Sequence, residues 1–309
     1  MTLDVVPYGG WARNLRIANG DAELITTLEV GPRILSYRLV GGRNVFAEFA
    51  DHLGRCGEPE WMARGGHRLW AAPEDPARTY FADNGPVAFE PIEGGFRLIP
   101  GSETPHGLQK EMDLKIADRG SSVEVVHRIR NVGERSTTLA PWALSVMAPG
   151  GVEIIPLPPK RPHPGAAKNA KGPGDFLAAF SMSVWPFTDF ADDRWTFGST
   201  CILLRQAARG PTKLGLSHRE GWVGYLNSGT LFVKRFGYLE GANYPDGGCN
   251  FETFTNEDML EVESLGPLVE LGSGEQVEHV ESWELFDKLG EVRGEADVEA
   301  EVRSRVGSG

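Results

Sequence analysis

The residues best suited to chemistry lie in one short run, Gly65-Gly66-His67-Arg68-Leu69-Trp70-Ala71-Ala72-Pro73-Glu74. His67 offers an imidazole that exchanges a proton near neutral pH. Arg68 offers a planar fork of donors, Glu74 a carboxylate, and Trp70 a flat apolar face. An apolar plate beside fixed donors and acceptors suits a polyhydroxylated ligand such as a sugar. Unpaired charges are costly to bury, and glycines and a proline punctuate the run, so it reads as a loop and not as a buried strand. A structural alternative stays open, in which Arg68 pairs with Glu74 and Trp70 packs inward.

A second rich stretch runs through Lys234-Arg235-Phe236 and then Asn243-Tyr244-Pro245-Asp246-Gly247-Gly248-Cys249-Asn250-Phe251-Glu252. Asp246-Gly247 favours a tight turn. Glu252 falls in a strand, Asn250–Thr255, where it shares a face with Asn250 and Phe254. Burial beside Phe254 would raise its pKa toward the range of a general base, whereas an outward face would leave it an ordinary solvated glutamate. Lys234, Tyr244 and Asp246 are candidate ligand contacts. Trp142 follows Pro141 at the start of an apolar strand and either floors a ligand site or fills core.

Glu261 and Glu263 alternate on one strand, and Glu278 and Glu281 lie on another. They could hold a cation with Asp258, but solvated strand faces account for them more simply, so no metal is expected. His106, His218 and His279 show no partner in the sequence. No phosphate-binding glycine loop, HExxH or GxSxG occurs. The odd count of three cysteines, Cys56, Cys201 and Cys249, excludes a disulfide framework, and none has CxxC spacing.

These residues must be positioned by strands. Glu23–Val30 ends at Gly31-Pro32, and Arg33–Val40 ends at Gly41-Gly42, as in an antiparallel pair. Similar runs recur to Gln276–Leu285, while the 39 glycines and 21 prolines are spread as turns and not gathered in a linker. The pattern predicts one all-β, mostly antiparallel sandwich over residues 1–288, followed by a polar tail over 289–309. Glu295 to Val306 could form a short helix or stay disordered. Residues Glu153 to Gly174, rich in proline, read as a long loop.

The net charge of −12 argues against nucleic acid and against an anionic membrane surface as partners. No apolar run is long enough to span a bilayer, and the N-terminus lacks a basic region followed by an apolar one, so a cytoplasmic protein is expected.

The chain resembles the galactose mutarotase-like, or aldose 1-epimerase-like, superfamily, in its divergent bacterial branch. The strings that carry this are Val30-Gly31-Pro32-Arg33-Ile34, Gly65–Trp70, Ala140-Pro141-Trp142, Asn250-Phe251-Glu252 and the closing strand Glu278–Leu285. The resemblance implies a β-supersandwich with a sugar site on the concave face of its larger sheet. It implies a reaction without cofactor, in which a late-strand glutamate removes the anomeric proton and a histidine protonates the ring oxygen. Glu252 corresponds to that base. Family members carry Asn-His where this chain has Pro141-Trp142, so His67 is nominated as the acid on chemical grounds.

The expectation is therefore a carbohydrate-binding protein with aldose 1-epimerase-like activity. Glu252 and His67 would be catalytic, and Arg68, Trp70, Glu74, Trp142, Lys234, Tyr244 and Asp246 would bind substrate. Arg68 and Lys234 would admit an acidic or phosphorylated sugar. The rivals are a non-catalytic sugar-binding protein on the same scaffold and a glycoside hydrolase or lyase relative using Glu74 and Glu252.

Overall fold

The computed structural model describes residues 1–307 of the chain. It opens with five strands of one sheet, β1 (Thr2–Tyr8), β2 (Trp11–Ala18), β3 (Ala22–Thr27), β4 (Arg33–Leu39) and β5 (Gly66–Ala72). Next come four strands of a second sheet, β6 (Val87–Ile92), β7 (Gly95–Pro100), β8 (Leu108–Ile116) and β9 (Val123–Asn131). The chain then crosses repeatedly between the two. β10 (Thr137–Met147) returns to the first sheet, β11 (Val152–Pro156) joins the second, and β12 (Met182–Val184) edges the first. β13 (Trp195–Phe197) and β14 (Cys201–Arg205) belong to the second sheet, and β15 (Thr212–Leu216) to the first.

β16 (Trp222–Asn227) and β17 (Thr230–Phe236) extend the second sheet, and β18 (Phe251–Thr255) and β19 (Leu260–Leu265) complete the middle of the first. Short β20 (Val269–Leu271) pairs with β10, and β21 (Gln276–Phe286) closes the second sheet between β17 and β9. All pairings are antiparallel among the described residues. The result is an eleven-stranded sheet packed on a ten-stranded one, the all-β sandwich expected from the sequence.

One continuous core lies between the sheets. It joins Leu69 and Phe251 of the first sheet to Met112, Phe232 and Trp283 of the second. A separate apolar cluster, with Trp70, Trp142, Leu144 and Leu265, covers the opposite face of the first sheet.

The run Gly66–Ala72 corrects the loop reading, because it is a buried strand at the centre of the first sheet. Its charge is tolerated because Arg68 is paired with Glu261 and His67 is hydrogen-bonded on both ring nitrogens. The glycines have a steric role. Gly66 has φ 72°, and a Cβ there would lie 2.3 Å from the Ile34 carbonyl oxygen. Only glycine lets β5 approach β4 this closely.

The C-terminal segment also carries more structure than its polarity suggests. Helical turns over residues 295–306 bury Val298, Val302 and Val306 against Val292, Trp222 and Leu203 on the outer face of the second sheet. No helix among the described residues is long and apolar enough to cross a membrane.

Candidate functional site

Strand period decides which side chains meet. Arg68, Leu144, Glu263 and Glu252 are directly paired across β5, β10, β19 and β18, and so share a face. Two residues along, Trp70 is paired with Trp142 and Trp142 with Leu265. Lys213 of β15 is paired with Phe254, which is paired with Glu261. This face points away from the second sheet.

A cavity of about 310 Å³ opens on it. Trp61, Trp70, Tyr80, Trp142, Trp185 and Phe187 supply aromatic walls, and Arg68, Glu74, Lys213 and Glu261 supply the charge. The Arg68 guanidinium lies 4.1 Å from the Trp70 ring centroid and 5.2 Å from that of Trp61, while its Nη2 donates to Glu261 at 2.7 Å. Its Nε and Nη1 have no protein partner. Tyr80 donates its hydroxyl hydrogen to Glu74 at the rim.

At the floor, one ammonium joins two carboxylates. Lys213 Nζ is 2.7 Å from Glu252 and 3.2 Å from Glu263, and sits over the rings of Trp142 and Trp185. Trp142 Nε1 donates to Glu263 at 2.8 Å. One oxygen of each glutamate lacks a donor.

Burial raises the pKa of both carboxyls. Lys213 opposes that rise, while Glu263 reinforces it in Glu252 and Glu261 reinforces it in Glu263. Burial alone would lower Lys213, but the facing Glu263 and Glu252 outweigh it and hold the ammonium charged. Two carboxyls raised by burial and set on one cation titrate as a coupled pair. The arrangement can therefore accept and release protons without a metal or an imidazole.

The sequence-predicted residues divide between two places. Arg68, Trp70, Glu74 and Trp142 come together around the cavity, with Glu252 just beneath Lys213. His67 does not join them. Adjacent strand residues point to opposite faces, so His67 enters the core when Arg68 faces the cavity. There its Nε2 lies 2.7 Å from His127 Nε2, and its Nδ1 lies 2.8 Å from the Ser145 hydroxyl.

The tautomers follow from the partners. His127 Nδ1–H donates to the His279 carbonyl, so His127 Nε2 accepts from His67 Nε2–H, and Ser145 donates to His67 Nδ1. Burial holds the His67 pKa well below its ordinary value, keeping the ring neutral. The placement puts His67 on the face of β5 away from the cavity, which corrects its nomination as acid.

Lys234 is likewise interior. Its Nζ contacts Glu281 at 2.9 Å and the Val262 carbonyl at 2.9 Å, beneath the first sheet. Tyr244 stacks on Tyr238 and accepts from the Leu239 N–H, while Asp246 holds a turn at φ 52° and accepts from Ser183 through its carbonyl. Neither lines the cavity. The pairing of Arg68 with Glu74 is also replaced, since Glu261 takes that position.

His67, His127 and Glu281 bring ligand atoms within 4.8 Å of one another. The two imidazole nitrogens are closer than a shared ion permits. Nitrogens each about 2.0–2.1 Å from one tetrahedral zinc would stand more than about 3 Å apart. The 2.7 Å contact is a hydrogen bond.

Sequence reasoning missed Lys213, Trp61, Trp185 and Phe187, and dismissed Glu261 and Glu263 as a solvated face. The alternation Glu261-Val262-Glu263 between apolar flanks was the one local signal.

No family model matches the sequence. No curated protein matches it either. Solved structures do. A galactose mutarotase-like protein from Clostridium acetobutylicum superposes with a TM-score of 0.55 at 8% identity, over 93% of this chain and 98% of the other. One from Lactobacillus casei gives 0.51 at 10% identity, over 88% of this chain and 100% of the other. A TPR-domain containing protein from Parabacteroides distasonis gives 0.58 at 14% identity; 92% of this chain is covered but only 49% of that one. The chain therefore has the galactose mutarotase-like fold, as its motifs implied.

Proposed function

We propose that this galactose mutarotase-like chain binds a carbohydrate in the aromatic cavity of the first sheet and interconverts its anomers, as an aldose 1-epimerase does. The observation that carries this reading is the placement of Lys213 between Glu252 and Glu263 at the floor of that cavity. The indoles would stack on the apolar face of a pyranose, and Arg68 and Glu261 would hold hydroxyls.

Ring opening needs a base at the anomeric hydroxyl and an acid at the ring oxygen. In this reading Glu252 takes the O1 proton as the C1–O5 bond breaks. Lys213 donates to O5 and is refilled by the proton held on Glu263. Rotation about C1–C2 turns the aldehyde, and the same transfers in reverse close the ring on its other face. Protons balance, because one moves onto Glu252 as one leaves Glu263. Trp142 stands where relatives of the family carry the acid histidine, and here it orients Glu263 through Nε1.

A second reading is a non-catalytic sugar-binding protein. Glu252 is only 1% exposed, behind Lys213, and this favours it.

Anomer exchange by NMR across a panel of aldoses separates the two. Acceleration by the wild-type protein supports the epimerase. Saturable chemical-shift changes without acceleration support binding alone, and neither effect with any sugar rejects both.

A further inference from the structure

Among the described residues, the charged groups around the cavity leave no spare cation. Arg68 is engaged by Glu261 at 2.7 Å and lies between the Trp70 and Trp61 rings. Lys213 faces two carboxylates. Glu74 stands at the rim on the Tyr80 hydroxyl. Arg33 reaches the back of Trp61 but is paired with Asp83 at 3.2 Å. Lys234, which would have favoured an acidic sugar, is under the sheet on Glu281. Two cations, Arg68 and Lys213, stand against four carboxylates, Glu74, Glu252, Glu261 and Glu263. The site is net negative even while one carboxylate holds a proton.

From this balance we infer that the cavity accepts sugars that are uncharged or carry an amine, and turns away sugars bearing a carboxylate or phosphate. The inference rests on the carbohydrate reading above and narrows its substrate class. A second anion brought beside buried carboxylates meets little solvent screening, so like charges repel strongly. The unsatisfied atoms agree. Glu252 Oε1 and Glu263 Oε1 lack donors in the protein, so the floor beneath Lys213 carries more acceptors than donors. Arg68 Nε and Nη1 lack acceptors, and neutral hydroxyl oxygens suffice there, because Glu261 already neutralises the guanidinium.

The test titrates wild-type protein with matched derivatives of one hexose: the parent sugar, its 2-amino form, its uronic acid and its 6-phosphate. The gluco, galacto and manno series are each measured by ligand-observed NMR at low and high salt. Within a series that binds, the parent and amino forms should bind at least about tenfold more tightly than either anion. Salt should narrow the gap. Glu261→Gln, which frees Arg68, should narrow it as well.

A uronic acid or phosphate that binds as tightly as its parent overturns the charge inference and leaves the carbohydrate reading standing. Failure of every sugar in all three series overturns the carbohydrate reading, and the inference falls with it.

Discussion

Lys213 lies 2.7 Å from Glu252, on a strand 39 residues earlier in the chain, and together they close the floor of the aromatic cavity. Neither residue is intelligible alone. Glu252 is too deeply buried to be charged without a partner, and Lys213 is too deeply buried to be charged without two. Removing the cation should therefore cost stability as well as function. Lys213→Met leaves two adjoining carboxyls without a counter-charge and should destabilise the fold by about 3–5 kcal/mol, read from urea unfolding at pH 7. Unchanged stability would mean that the ion pairs are not formed.

Glu252 and Glu263 together give the pH dependence its sign. Their pKa values rise from 4.5 to about 8 and about 7, chiefly through burial. Between those values the folded chain holds a proton that the unfolded chain has released. Stability should fall as pH rises through that window, since the folded state binds more protons there. Glu263→Gln should reduce the slope of unfolding free energy against pH from about 5 to 7, leaving the part due to Glu252. An unaltered slope would assign the proton elsewhere.

Trp70 and Trp142 separate stacking from proton placement. Trp70→Ala should weaken sugar binding by roughly 2 kcal/mol or more, about thirtyfold, since it removes a wall of the cavity. Trp142→Phe keeps the ring but deletes the Nε1–H donated to Glu263, a bond that holds that carboxyl down. Its binding should change little, while the basic limb of the pH–rate profile should move to higher pH. A loss of affinity equal to that of Trp70→Ala would reduce Trp142 to a stacking group.

His67 should behave as an interior residue. His67→Ala leaves His127 Nε2 and the Ser145 hydroxyl without their buried partner and should cost roughly 1–3 kcal/mol of stability. Sugar affinity should stay within about twofold of wild type. An abolished reaction in a variant of full stability would return the imidazole to the acid role.

Much of the architecture was legible because turns interrupt the strands so regularly. Arg33–Val40 and Gln276–Leu285 match β4 and β21 almost residue for residue. The strand β5 was obscured by its own charge, since what neutralises Arg68 is Glu261, 193 residues away. Period two did place Glu252 with Phe254. The same rule separates His67 from Arg68, and it was overridden by reading that run as a loop. Lys213 could not be found from spacing, because only the register of β15 on β18 brings it to Glu252.

The most direct measurement is the rate of anomer exchange, by NMR, for an aldose that the wild-type protein binds, repeated with Glu252→Gln. The account predicts catalysed exchange in the wild type and a fall of about 10²–10⁴-fold in the variant, with binding retained. Undiminished exchange in Glu252→Gln would contradict it.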